Sequence, residues 1–183
     1  IVSRDRRGLF AVIAGTLSLH GLDVVGADAF TAEDGTVLDE FRILRSHDRV
    51  TNWTKVEHDL RAAIAGELDI DVRLEQRIKS YGRSRSRALA AAPPRLEVLI
   101  SNEASLATTV VEVRAPDGAA VLYRLSHSLS LAGLDIRSAK VATLGHEVVD
   151  VFYATAPDSS DGKVPVERHD DLRDVLRASL ASA

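Results

Sequence analysis

Leu17-Ser18-Leu19-His20-Gly21-Leu22-Asp23-Val24 decides the fold, because the chain writes this stretch twice. It returns as Leu129-Ser130-Leu131-Ala132-Gly133-Leu134-Asp135-Ile136. At the same offset Asp5-Arg6-Arg7-Gly8-Leu9-Phe10 lines up with Asp117-Gly118-Ala119-Ala120-Val121-Leu122, Ala27 with Ala139, and Thr31 with Thr143. After a one-residue difference in length, Val37-Leu38-Asp39-Glu40-Phe41 meets Val148-Val149-Asp150-Val151-Phe152. Agreement of this extent means one unit present in two copies.

Each copy reads in the same order. A β-rich segment comes first, clearest at 108–114. An Asp-bearing turn follows, then apolar residues at helical spacing: Leu9, Phe10, Ile13 and Leu17, and Val121, Leu122, Leu125 and Leu129. That spacing is one buried helix face, and Gly21 and Gly133 stand where a helix C-terminus is capped. Strands at 22–30 and 36–44 turn at Asp34-Gly35; those at 134–143 and 147–154 turn at Leu144-Gly145-His146. A second helix carries Trp53, Val56, Leu60 and Ile64 in copy one. In copy two Pro165 suits a first helical position, ahead of Leu172, Val175, Leu176 and Leu180.

The order β-α-β-β-α lacks one strand of the α+β ferredoxin-like βαββαβ sandwich. Residues 96–101 are the spare strand. They either complete copy one or pair with 108–114, since consecutive strands are usually neighbours. The expected division is unit one over 1–101, with a truncated first strand and a mobile loop at 80–95, and unit two over 108–183, without a last strand of its own. The strand at 147–154 is apolar on both faces, which predicts a neighbouring unit over the face away from the helices.

The 183 residues carry a formal charge of −4, are 45% apolar and 27% charged, and include no cysteine. This excludes a disulfide framework, a thiolate metal site and a cysteine nucleophile. No apolar run approaches the roughly 20 residues of a membrane span, and the mild acidity disfavours nucleic acid as a partner. A cytoplasmic setting is expected. The chain starts at Ile1 without a complete first strand, as expected of a piece of a longer protein.

Asp5-Arg6-Arg7-Gly8-Leu9-Phe10, followed by Gly21-Leu22-Asp23-Val24, resembles an ACT domain. Asn102-Glu103-Ala104-Ser105, and the run from Gly133-Leu134-Asp135-Ile136 through Arg137-Ser138-Ala139-Lys140 to Val141-Ala142-Thr143, narrow the resemblance. They are similar to the C-terminal tandem ACT region of the bacterial uridylyltransferase/uridylyl-removing enzymes that modify the nitrogen-regulatory PII protein. The resemblance implies a regulatory region that senses glutamine, with nucleotidyltransferase and hydrolase domains upstream in the same chain and PII as the parent's partner. The group transferred is uridylyl, or adenylyl as in some actinobacterial relatives. It implies no catalytic residue, metal or cofactor in this piece.

The ligand-binding residues expected are Asp5, Arg6, Arg7, Gly8 and Leu9 in copy one, and Asp117, Gly118, Ala120 and Val121 in copy two. A helix N-terminus suits a carboxylate, Gly8 lets a ligand near the backbone, and Asp5 can hold an ammonium. The plainer alternative is that Asp5 only caps the helix. Copy two departs from the motif: Gly118 replaces its Arg, Ala119 its usual Pro, Ala120 its Gly and Val121 its Leu.

Other motifs read as ordinary surface. Asp69-Ile70-Asp71 is a solvated turn rather than a metal-binding carboxylate pair. His47-Asp48, His58-Asp59 and His169-Asp170 lack further ligands. Arg83, Arg85 and Arg87 lie in the loop at 80–95 without interleaved aromatics. A non-binding structural ACT module and a free-standing ACT-repeat protein are the rival readings.

Overall fold

The computed structural model describes residues 1–44, 50–81, 96–118, 120–144 and 146–181. Copy one supplies β1 (Val2–Arg4), α1 (Leu9–Leu19), β2 (Asp23–Thr31), β3 (Thr36–Leu44) and α2 (Trp53–Ala65). Next come α3 (Ile70–Tyr81) and β4 (Glu97–Ser101). Copy two supplies β5 (Thr109–Pro116), α4 (Val121–Leu131), β6 (Asp135–Leu144), β7 (Glu147–Thr155) and α5 (His169–Ala181). Pro165 opens a 3-10 turn, Val166–Arg168, so α5 begins later than the proline suggested.

The strands form one antiparallel sheet in the order β1-β3-β2-β6-β7-β5-β4. The copies meet where β2 pairs with β6, Ala27 opposite Ala139. Those two alanines are each other's equivalents in the repeat, so an approximate two-fold axis passes between them. The bulges obey the same symmetry: the register shifts between Val24 and Gly26 in β2, and between Ile136 and Ser138 in β6. Ser138 also donates to Asp28 across the seam at 2.9 Å.

Inward side chains alternate with outward ones, as a sheet covered on one face requires. Ala27, Val37, Val111, Val113, Ala139, Val148 and Phe152 are buried together with Leu9, Ile13, Leu17, Leu125, Leu129, Leu172 and Leu176. Val149, Val151 and Tyr153 point to the other face and stay half-buried. The neighbouring copy therefore joins edge to edge and does not cover that face, contrary to the sequence expectation.

One of the two partners open to residues 96–101 is realised, and the reading of residues 69–71 changes. β4 pairs with β5, Val98 opposite Val113, so residues 96–101 do not close the first copy. They occupy the edge beside β5, where the missing last strand of the second copy was expected. The Asp69–Asp71 turn is the start of a helix. Asp69 accepts the Val72 N–H at 3.1 Å, and Asp71 accepts the Tyr123 hydroxyl at 2.7 Å. Ile70 and Leu74 pack with Ala11, Ala63 and Tyr123. Gly15 leaves room for this packing: a Cβ there would lie 2.5 Å from Ile70 and 2.6 Å from the Tyr123 ring. Residues 82–95 of the expected loop, including the three arginines, and His47-Asp48 lie outside the described residues.

Candidate functional site

Both helix-opening turns are built alike. The Asp5 N–H donates to the Gly35 carbonyl at 2.9 Å, and the Asp117 N–H to the His146 carbonyl at 2.8 Å. Each helix is entered through a left-handed residue, Gly8 at φ 77° and Ala120 at φ 61°. Among the described residues no side chain caps α1, so capping does not account for Asp5. Ala120 is the one non-glycine residue of positive φ among the described residues. An L side chain is strained there, and Ala120→Gly is expected to add about 1 kcal/mol of stability. A urea midpoint that stays put or falls would refute the strain. Ala119 lies outside the described residues.

The first turn opens onto a cleft at the seam of the two copies. Asp5, Arg6, Gly8 and Leu9 line it from copy one. Ser126 and Ser130 of α4, and Asp135 and Arg137 of β6, line it from copy two. Asp39 of β3 forms part of the same wall. Arg6 also donates to the Ala63 carbonyl at 3.3 Å, tying the turn to the end of α2. Arg7, expected in the site, is exposed and is not among the lining residues. Gly8 faces Ser130: a Cβ added to it would stand 3.1 Å from the Ser130 Oγ. A side chain there would require the Ser130 hydroxyl to give way by a few tenths of an ångström and would be strained at this φ.

Charge in the cleft is of both signs. Asp5, Asp39 and Asp135 bring carboxylates; Arg6 and Arg137 bring guanidiniums. Arg137 is the residue that the β6 bulge skips, and a bulge re-aims its side chain. Burial raises the Asp135 carboxyl above its ordinary range, and Asp5 adds to the effect. Asp39 is 2% exposed, its Oδ1 has no hydrogen-bond partner, and burial, aided by the nearby Asp5 carboxylate, lifts its carboxyl to about 6. The cavity measures about 50 Å3. At about 10–15 Å3 per water-sized group, it admits roughly four.

The sequence-expected residues of copy two do not line this cleft. Two-fold symmetry places Asp117, Gly118, Ala120, Asp150 and Val25 where the first cleft has Asp5, Arg6, Gly8, Asp39 and Arg137. Both arginines are lost by that exchange, and a methyl replaces the glycine hydrogen. Ser126, Ser130, Asp39, Asp135 and Arg137 escaped the sequence reading. The repeat carried one signal for Asp39: an acid at an inward position between Val37 and Phe41.

His20 has a different role. His20 lies 3.0 Å from Asp59, and burial lowers its pKa. Asn52, in a glycosylation-like triplet, caps α2 by accepting the Lys55 N–H at 3.1 Å. Among the described residues no group of His, Asp and Glu could hold a metal, and no described helix is long and apolar enough to cross a membrane.

Fold and cleft together define a mixed module of helices on an antiparallel sheet, in which two copies of one unit share the sheet and hold a cleft with charges of both signs at their seam. Similarity to known proteins narrows that class. The bifunctional uridylyltransferase/uridylyl-removing enzyme of Gluconobacter oxydans is 36% identical over all of the chain. Those of Streptomyces coelicolor and Novosphingobium aromaticivorans are 34% and 37% identical over 82% and 85% of it. The chain spans less than a fifth of the length of these relatives. No family model matches it.

Proposed function

We propose that the chain is the amino-acid-sensing region of a PII-modifying uridylyltransferase/uridylyl-removing enzyme, built from two ferredoxin-like ACT units, with glutamine as its ligand. In this reading the catalytic domains lie elsewhere in a longer cytoplasmic protein, and adenylyl remains the alternative to uridylyl as the transferred group. The observation that carries the reading is the charge of the cleft. A free amino acid has an ammonium and a carboxylate two bonds apart on one carbon, and the cleft offers acids and guanidiniums within one small cavity. The cavity would take the zwitterionic head of the ligand. The relatives' names, which join a transfer to its reversal, support a need for such a sensor.

The ligand would touch both copies at once. An affinity that differs between two arrangements of the seam is what would shift the equilibrium between them. Coupling of about 1–3 kcal/mol is typical and suffices to rebalance opposing activities. The second turn, with Gly118 and Val25 in place of the arginines, lacks the partners for a carboxylate, so one ligand binds per chain. Calorimetry of this chain with a panel of free amino acids tests the reading. Glutamine binding at one site per chain is expected; no heat with any amino acid overturns it. In the full-length parent, attachment and removal activities that keep their glutamine response after deletion of this region would show that the sensor lies elsewhere.

A further inference from the structure

We infer that Asp39 is the anchor for the ligand's ammonium group and that binding at this cleft is therefore proton-linked. The inference rests on the amino-acid reading above and adds a residue and a regulation to it. An aspartate on the inward face of β3, between Val37 and Phe41, occupies a position where the strand pattern calls for an apolar side chain. It is buried, it keeps an oxygen without a partner, and it borders a cavity. A buried carboxylate oxygen left unmatched carries a desolvation penalty. A cationic group entering the cavity removes that penalty by supplying a charge-assisted hydrogen bond.

Besides Asp39 the cleft holds four charged side chains: Asp5 and Arg6 on the first turn, Asp135 and Arg137 on β6. The amino group of Ile1, just before β1, donates to the Asp39 carbonyl at 2.8 Å, and in this chain its charge favours ionisation of Asp39. Asp5 approaches from the turn and opposes ionisation; Arg137 approaches from β6 and favours it. The lining residues of α1 and α4 are uncharged: Leu9, Phe10 and Ala11 from one, Ser126 and Ser130 from the other. Asp39 is thus half-protonated near pH 6 in the free protein. An ammonium binds only the ionised form well, so the ligand expels the proton. Affinity rises with pH through 6 and levels off above 7.

The test uses this chain, L-glutamine and N-acetyl-L-glutamine, which lacks the ammonium. Wild-type affinity for L-glutamine is expected to fall about tenfold from pH 8 to pH 5. Calorimetry at pH 6, in buffers of different ionisation enthalpy, is expected to register about half a proton released per ligand. The acetylated compound should bind at least tenfold more weakly. Asp39→Asn keeps the shape, loses the charge, and should both weaken binding tenfold or more at pH 8 and abolish the pH dependence. The proton-release measurement needs no variant, so the inference stays testable if the variant misfolds. Glutamine bound with no proton release, or an Asp39→Asn protein with unchanged affinity and pH profile, overturns the role of Asp39 and leaves the amino-acid reading standing. Absence of binding by any amino acid overturns both.

Discussion

Phe152→Ala will cost about 3–5 kcal/mol of folding stability, as truncation of a fully buried aromatic does. Phe152 is 0% exposed and is among the largest fully buried side chains of the core. On β7 it stands opposite Val111 of β5 and Ala139 of β6. Ala139 is in turn the residue that meets Ala27 across the seam. The void left by the ring therefore opens one residue from the junction of the two copies. Because the cleft is walled by both copies, loosening there should lower ligand affinity as well as stability, although Phe152 is not one of its lining residues. Urea denaturation gives the first quantity and amino-acid calorimetry at low temperature the second. A loss of stability under about 1 kcal/mol would mean that the core collapses around the void, contrary to the close packing described.

The pairing of these strands was legible to different depths. The strands β2, β3, β6 and β7 and the helices α1 and α4 follow from the repeat and its periodicities, because each is patterned by local alternation or helical spacing. The partner of β4 does not follow. Its residues specify a strand, but the edge it joins depends on which edge is free after both copies have folded. The helix α3 was missed for a related reason. Ile70 and Leu74 make only a short stripe, and the surface they cover, Ala11 with Tyr123, exists only once α1 and α4 lie side by side.

The same division runs through the candidate site. The Asp5–Leu9 turn is a contiguous string and could be read directly. Ser126, Ser130, Asp135 and Arg137 lie far along the chain, and only the pairing of β2 with β6 brings them to that turn. Arg7 shows the converse. It belongs to the contiguous string, yet it is exposed and does not line the cleft. Asp39 stood between. Its alternation with Val37 and Phe41 already marked an acid pointing inward, and the repeat marked Asp150 in the same place.

Asp150 provides the second large effect, and its sign is opposite to that of Phe152. It is 1% exposed, its Oδ1 lacks a partner, and burial, with Asp117 adding to it, lifts its carboxyl to about 7. An unfolded aspartate titrates near 3.9. Between these values the folded chain binds the proton that the unfolded chain has lost, so stability declines as pH rises from about 4 to about 7. Asparagine occupies the same space and never ionises. Asp150→Asn should therefore be more stable than wild type by about 2–4 kcal/mol at pH 8, with the gap shrinking to about 1 at pH 5. Urea denaturation at the two pH values measures it; an equal gap at both would mean that Asp150 is not the titrating group. The outcome bears on function through the repeat. Asp39 and Asp150 are equivalent, and each ionises against the cost of burial. Among the described residues, Asp39 borders the cavity shared with two arginines, and Asp150 is not one of its lining residues. Removing the charge should thus add stability in either copy, but at the expense of ligand affinity only in the first.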